Sequence, residues 1–325
     1  MVKNNNKKPL VSIITNTYNS SLFIDNCLES VLNQTYSNWE LIVTDCGSTD
    51  DTLSKLNFYT DPRINIYSIN FCGVSEGRNF GIGKAKGKYI AVLDSDDICY
   101  PERLFNQVSL IESDKECIAI GSGFNLFSSC IKKSKLVVYS LNYSEIKLLL
   151  ESGYNPIPHS TLMFKKSIIK SLSIYNPEIE KSEDYDLILR LSNLGVIKLI
   201  NQSLIYYRFS NNSHTNRHKP RGRDTHYFVV LSNLLLANSN NKSSSSKKYI
   251  IDFMKKRSNL EVKSLIFIWA FNIFLNNFFT LKFNARYIFF KHLFSLFSFN
   301  SVFFLLKSFK KSPSPVCVLN NLILK

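Results

Sequence analysis

A doubly wound, mostly parallel α/β sheet flanked by helices is the fold class this sequence predicts, on three observations. Short apolar runs alternate with stretches of helical periodicity over the first hundred residues, the order that builds parallel β-α-β units. One run, beginning at Tyr89 and Ile90, ends in Asp94, Asp96 and Asp97, an acidic group where open α/β sheets bind ligands. The chain is also long enough, at 325 residues and 45% hydrophobic, to bury a sizeable core.

The first predicted strand is Leu10 to Thr15 (LVSIIT). Ile24, Cys27, Leu28, Val31 and Leu32 then fall at i, i+3, i+4, i+7 and i+8, one face of an amphipathic helix. Strands follow at Glu40 to Asp45 (ELIVTD), Ile64 to Ile69 (INIYSI) and Lys88 to Asp94 (KYIAVLD), with helices at Asp50 to Phe58 and Glu76 to Lys86. A helix over Pro101 to Ser113 is next, its proline suited to a first turn. Cys117 to Phe127 and Leu136 to Ser140 read as strands, Ser144 to Glu151 as a helix, and His159 to Phe164 (HSTLMF) as another strand. After Ser182, Leu187, Leu191 and Leu194 share a helix face and Gly195 offers a stop. Val196 to Arg208 returns to strand character, and SNNSHTNRHKPRGRD (210–224) reads as a mobile loop.

A break at NSNNKSSSSKK (238–248) precedes a basic tail: from Ser246 onward there are 13 Lys or Arg against 2 Asp or Glu, so most of the net charge of +15 resides there. We therefore expect a catalytic region over residues 1–225 and a helical, basic, aromatic-rich extension over residues 226–325. LIFIWAFNIFLNNFF (265–279) and the Phe- and Leu-rich stretch 287–311 are interrupted by Asn, Lys and His, too often for a span of roughly 20 apolar residues. Such composition fits an interfacial segment on anionic lipid, and it also fits a helical subdomain packed on the core. The seven cysteines are odd in number and scattered, without a C-x-x-C pair, so no disulfide framework or zinc site is expected. MVKNNNKKPL runs into a strand without a signal peptide's apolar core, which predicts a cytoplasmic catalytic part.

Asp94, Asp96 and Asp97 repel one another and are costly to bury unpaired. Asp-x-Asp supplies hard oxygen ligands for Mg2+ or Mn2+, ions that take further ligands from substrate phosphates. Alone, the cluster fits a solvated strand end equally well. DCGSTDDT (45–52) offers Ser48 and Asp51 as a capping box or, alternatively, a nucleotide-facing loop. The glycines of GRNFGIGKAKGKY (77–89) match neither a Walker loop nor a G-x-G-x-x-G fingerprint, though Arg78 is a candidate phosphate partner. Glu183 and Asp184 at a helix start read as dipole compensation or as a general base facing a site.

In combination, PLVSIITNTYN (9–19), LESVLNQTYSNWELIVTDCGSTDDT (28–52), GRNFGIGKAKGKYIAVLDSDD (77–97) and SEDYDLILRL (182–191) strongly resemble the family 2 glycosyltransferases of the GT-A fold. The resemblance covers roughly residues 9 to 210 and leaves the tail unexplained. It implies an inverting transfer of a sugar from a nucleotide-diphosphate donor to an acceptor hydroxyl. Asn16, Thr17, Tyr18, Asp45 and the neighbouring loop would hold base and ribose. Asp94-Ser95-Asp96 would be the DxD-like motif, with Asp97 close enough to take part: one carboxylate for the ribose, another for the divalent ion on the diphosphate. Asp184 matches the catalytic base and Glu183 is its neighbour in the ED pair.

Two departures qualify the resemblance. Many relatives carry Asn-Asp where this chain has Asp45-Cys46, and a thiol cannot accept the hydrogen bond a uracil N3–H offers as a carboxylate does, so a UDP-sugar is the favoured donor without being fixed. The Q-x-x-R-W motif of processive synthases is absent after Asp184, which favours single-sugar addition. In YYRFSNNSHTNR (206–217), Arg208 is a candidate diphosphate contact and His214 a candidate metal or phosphate contact or equally an exposed loop residue, while His159 reads first as a satisfied structural histidine and only second as a candidate for the acceptor. Partners follow: a nucleotide-sugar donor, a saccharide or lipid-linked saccharide acceptor, an anionic membrane surface on the inner face, and no nucleic acid. A nucleotidyltransferase would need a glycine- and lysine-rich loop where TNTYNSS stands. A basic non-enzymatic module would leave Asp94, Asp96 and Asp184 without a role.

Overall fold

The computed structural model describes residues 8–70, 72–171, 174–177, 179, 182–209 and 286–288. Its elements run β1 (Val11–Thr17), α1 (Ile24–Leu32), β2 (Trp39–Asp45), α2 (Thr52–Leu56), β3 (Ile64–Ser68), α3 (Val74–Lys84), β4 (Tyr89–Val92), β5 (Ile98–Cys99), α4 (Arg103–Ser113), β6 (Cys117–Phe127), β7 (Lys135–Val137), α5 (Tyr143–Glu151), β8 (Met163–Lys165), α6 (Glu183–Ser192) and β9 (Val196–Arg208). The strands form one sheet in the order β3-β2-β1-β4-β8-β6-β9-β5, with β7 paired to β6.

The first half matches the expected design. β1 is almost wholly buried, as a parallel strand covered on both faces must be, and its apolar run is continuous rather than alternating. It pairs in parallel with β2, Val11 opposite Trp39 and Thr17 opposite Asp45, and with β4, Ile14 opposite Val92. The carboxyl ends of β1, β2 and β4 therefore open onto one edge, and Asn16, Asp45 and Asp94 emerge there. On α1 the predicted apolar face is buried, with Ile24, Cys27, Leu28 and Val31 inside.

The second half departs from a parallel sheet: β8 runs antiparallel to β4 and to β6, β9 is parallel to β6, and β5 is antiparallel to β9. The sheet is mixed. β5 has two residues and carries no alternation to read. His159 to Thr161 forms a 3-10 turn in place of the predicted strand start, Thr161 N donating to Pro158 O at 2.9 Å, so the strand shrinks to Met163–Lys165. α2 is shorter than expected, because Asp50 Oδ1 accepts from Thr52 N at 3.0 Å and starts the helix beyond Ser48. Ser48 donates its hydroxyl to Asp45 instead of capping.

Arg103, fully buried on α4, ties the end of β4 to the helix layer. Its Nη2 donates to Val92 O at 2.7 Å, Nε donates to Gln107 Oε1 at 3.2 Å, and Gln107 Nε2 donates to Thr161 O at 2.7 Å. Met1–Ser140 and Ile157–Ser213 cluster as one compact unit, and Leu141–Pro156, with α5, belongs to a second. The boundary expected near residue 225 and the basic extension beyond it fall outside the described residues, apart from the short helical piece at 286–288.

Gly87, at the entry to β4, has no room for a side chain: a Cβ there would lie 2.6 Å from Ser12 N and 2.8 Å from Leu10 O, both backbone atoms. Gly87→Ala is expected to destabilise the protein by about 1–3 kcal/mol, as overpacking against an unyielding neighbour does. An unchanged melting temperature would contradict this packing.

Candidate active site

Arg78 organises the edge. It projects from α3 with its side chain 9% exposed, donating from Nη2 to Asp94 Oδ1 at 2.8 Å and from Nη1 to Glu183 Oε1 at 2.6 Å. Burial alone would pull the guanidinium down, but Asp94 and Glu183 outweigh it and hold it firmly charged. In return, Arg78 and then His159 hold the Asp94 carboxyl well below the usual range despite its burial. Where a phosphate contact was expected of Arg78, both Nη atoms are engaged by carboxylates. α3 approaches closely enough because of its glycines. A Cβ on Gly77 would fall 2.1 Å from Asn16 Oδ1 and 2.6 Å from Cys46 Sγ, which gives a packing cause to a glycine pattern that matched no phosphate loop.

Asp96 and Asp97 are less compensated. Burial and the charge of Asp94 push the half-buried Asp96 up to about 6. Asp97 is buried; its Oδ1 accepts from Arg208 N at 2.7 Å, while Oδ2 has no hydrogen-bond partner. Burial, with the charges of Asp96 and Asp94, pushes its carboxyl well up. Arg208 lies between the rings of Phe23 and Phe127, 4.5 and 4.4 Å from their centroids, and donates from Nε to Asp96 O at 2.9 Å and from Nη1 to Ser128 O at 3.2 Å. No hydrogen bond occupies its Nη2 among the described residues. His214 lies outside them.

At the start of α6, Ser182 takes a left-handed conformation (φ 72°) and the two acids that follow part company. Glu183 is tied to Arg78, whereas Asp184 makes no hydrogen bond or ion pair among the described residues. Asp184 still belongs to the cluster, because the hydroxyl of the half-buried Tyr207 is pushed up first by burial and then by Asp97, Asp94, Asp184 and Asp96 together.

On the β1–β2 side, Asn16 is half-buried, Thr17 is buried with its hydroxyl unpartnered, and Tyr18 is 47% exposed. Asp45 is buried and accepts from the amide of Ser48 at 3.2 Å and from its hydroxyl, closing its own loop. Cys46 and Cys72 form a disulfide with Cα atoms 5.3 Å apart, correcting the expectation of none. They meet because the chain leaving β3 runs alongside the end of β2, Ile69 N donating to Asp45 O at 3.0 Å, a closeness that a separation of 26 residues conceals. Cys46 Sγ lies 3.1 Å from Asn16 Oδ1, at the position where a base contact was expected. His159, read first as a structural histidine and second as an acceptor contact, is buried next to Asp94. No local pattern pointed to Tyr175, which is buried against both His159 and Arg78.

Among the described residues no three ligating side chains converge as a ready-made metal cage. The charge balance nevertheless fits a divalent cation. Asp94, Asp96, Asp97, Glu183 and Asp184 face two guanidiniums, an excess of negative charge, and carboxylate oxygens are hard ligands. Asp94 and Asp96 would hold the ion with few protein ligands, leaving the rest to phosphate and water.

The Glycosyl transferase family 2 profile matches residues 12–172. The chain is 37% identical over 204 residues to the UDP-Glc:alpha-D-GlcNAc-diphosphoundecaprenol beta-1,3-glucosyltransferase WfaP of Escherichia coli, covering 61% of this chain and 77% of that protein. It is 34% identical over 211 residues to the O-antigen biosynthesis glycosyltransferase WbnJ of Escherichia coli, covering 63% and 81%. Among solved structures, S. aureus TarS 1-349 in complex with UDP-GlcNAc superposes with a TM-score of 0.60 at 16% identity, over 79% of this chain and 80% of that one. The mannosyltransferase PcManGT from Pyrobaculum calidifontis, in complex with GDP-Man and Mn2+, gives 0.53 at 15%, over 97% and 87%. These likenesses establish the GT-A fold.

The raised Asp96 carboxyl makes stability pH-dependent. Its folded value of about 6 lies above the roughly 3.9 of an unfolded aspartate, so its contribution is full below about pH 4 and is lost as pH rises through 6. In chelator, the melting temperature is expected to fall by several degrees more between about pH 5 and pH 7 than that of Asp96→Asn. Parallel pH profiles for the two proteins would refute the assignment.

Proposed function

The chain belongs to glycosyl transferase family 2, and from that premise we propose that it transfers a single sugar from a UDP-linked donor to an acceptor hydroxyl with inversion, in the synthesis of a cell-surface polysaccharide or glycolipid. The observation that carries the assignment of roles is the division of labour at α6: Glu183 is locked to Arg78 while Asp184, beside it, is unengaged. A general base must keep its oxygens for the proton it removes.

In this reading Asp184 accepts the proton of the acceptor hydroxyl as that oxygen attacks the anomeric carbon. The bond from that carbon to the phosphate oxygen breaks on the opposite face, its electron pair leaving with the nucleoside diphosphate, and one displacement inverts the centre. Asn16 and Thr17 bound the base and ribose side, with Tyr18 exposed above them and Asp45 shaping the loop beneath. Asp94 meets the ribose, and Arg208 turns its open Nη2 to the diphosphate. Asp96 with Asp94 would hold Mg2+ or Mn2+, which when bound would supply positive charge to the departing diphosphate. Glu183 acts through Arg78 rather than on substrate.

The donor preference draws on the UDP-glucose named for WfaP and the UDP-GlcNAc bound by TarS. The diphosphoundecaprenol acceptor named for WfaP and the basic, aromatic tail together support a lipid-linked acceptor at the inner membrane face. No helix among the described residues is long and apolar enough to cross a membrane.

Screening nucleotide sugars with Mn2+ for transfer or donor hydrolysis tests the reading directly. Asp184→Asn is expected to lower turnover about 10²- to 10⁴-fold while UDP affinity stays within about threefold of wild type by calorimetry. Loss of UDP binding in that variant would remove Asp184 from the base role. Asp96→Ala is expected to abolish the Mn2+ dependence of UDP binding, and a Mn2+ dependence equal to wild type would count against it as a ligand.

A further inference from the structure

Arg78 is not alone on Asp94 Oδ1. His159 points Nδ1 at the same oxygen from 3.6 Å, a separation longer than a hydrogen bond, and that nitrogen is buried without a partner. An unsatisfied buried ring nitrogen is costly to keep, so its orientation calls for a cause. The ring is held from its other end, where Nε2 lies 2.8 Å from the Tyr175 hydroxyl with the two rings edge to face. Tyr175 is held in turn by Asn79, whose amide donates to Tyr175 O at 2.7 Å and accepts from Tyr175 N at 3.0 Å. Ser160, next to His159 on the 3-10 turn, accepts from the Asp94 amide at 3.1 Å. The chain Asn79–Tyr175–His159 thus ends at Asp94, while Arg78, adjacent to Asn79 on α3, reaches the same carboxylate directly.

We propose that His159 is a positioning residue for donor binding, presenting an Nδ1–H to Asp94 Oδ1 in the tautomer set by Tyr175. The tyrosine O–H donates to Nε2, which puts the ring hydrogen on Nδ1. Arg78 and His159 both address Oδ1, and no described side chain donates to Oδ2. A single partner would let the carboxylate rotate about its Cβ–Cγ bond and exchange the two oxygens. Two partners on one oxygen hold Oδ2 toward the ligand, and the His159 contact shortens to a hydrogen bond when ribose or cation draws Asp94 into place. This inference rests on Asp94 being the donor-site carboxylate.

The test uses the full-length protein with UDP, and GDP as a second probe, in Mn2+ and in chelator. His159→Asn keeps an amide N–H at the Nδ1 position, whereas His159→Gln keeps one at the Nε2 position and loses it toward Asp94. His159→Gln is expected to weaken nucleotide binding and raise the donor KM about tenfold, with kcat changed less than threefold, and His159→Asn to restore most of the loss. In an Asp94→Asn background His159→Gln is expected to add nothing further, a coupling that a merely structural histidine would not show. Tyr175→Phe, a milder change, is expected to move KM in the same direction by about two- to fivefold, and it decides the matter should His159→Gln fail to fold. Wild type that binds nucleotide with His159→Gln and Tyr175→Phe unaltered would overturn the positioning role and leave the proposed function standing. Wild type that binds neither UDP nor GDP would overturn the donor site itself, and this role with it.

Discussion

A buried guanidinium needs counter-charge, and the edge of this sheet is arranged around meeting that need for Arg78. Taking an ion of that size out of water costs several kcal/mol even after relaxation, and good geometry with an opposite charge is what offsets it. Arg78 has two such partners, from segments 16 and 105 residues away: Asp94 at the end of β4 and Glu183 at the start of α6. Removing either carboxylate would leave the other to carry the compensation alone, so the strand end and the helix start are coupled energetically. The end of β4 and the proposed base are thereby brought to one place by a single buried cation. Gly77, beside Arg78, allows the approach by leaving space for Asn16 and Cys46.

That arrangement settles one charge and leaves others unsettled. Asp94 is held well below its ordinary range while Asp96 and Asp97 are pushed above theirs, although the three lie within four positions. The difference is one of partners. Asp94 has a guanidinium and an imidazole; Asp97 has a backbone amide, and Asp96 sits near Arg208, whose own charge burial disfavours. Native proteins keep uncompensated acids where a ligand completes them, and the residual negative charge here suits a cation that arrives with a diphosphate.

The sequence conveyed half of this. The parallel strands were legible because burial on both faces makes an unbroken apolar run, and α1 because its apolar positions keep the helical period. β5 was not, since two residues cannot display a period of two and its placement depends on pairing with β9, and β8 was read with its start four residues too early, where the chain makes a 3-10 turn. The acids were visible as charges, and their order along the chain marked the family. What each residue touches was not visible: Arg78 read as a phosphate partner with no sign of its two carboxylates, Cys46 and Cys72 as unrelated thiols, His159 as a structural histidine before an acceptor contact, with no partner named, and Tyr175 as nothing at all. These are contacts across many residues of chain, which local pattern does not encode.

The adjacent pair Glu183 and Asp184 shows how far geometry goes beyond motif. Successive residues on a helix point about 100° apart, so two neighbouring acids face different directions. With Glu183 turned to Arg78, Asp184 is directed elsewhere by the helix itself, and its freedom is a consequence of its neighbour's engagement rather than an accident of exposure. Ser182, left-handed immediately before them, is the residue at which the chain turns into the helix. The ED pair is therefore one device: the first acid fixes the register of the helix against the donor strand, and that register aims the second.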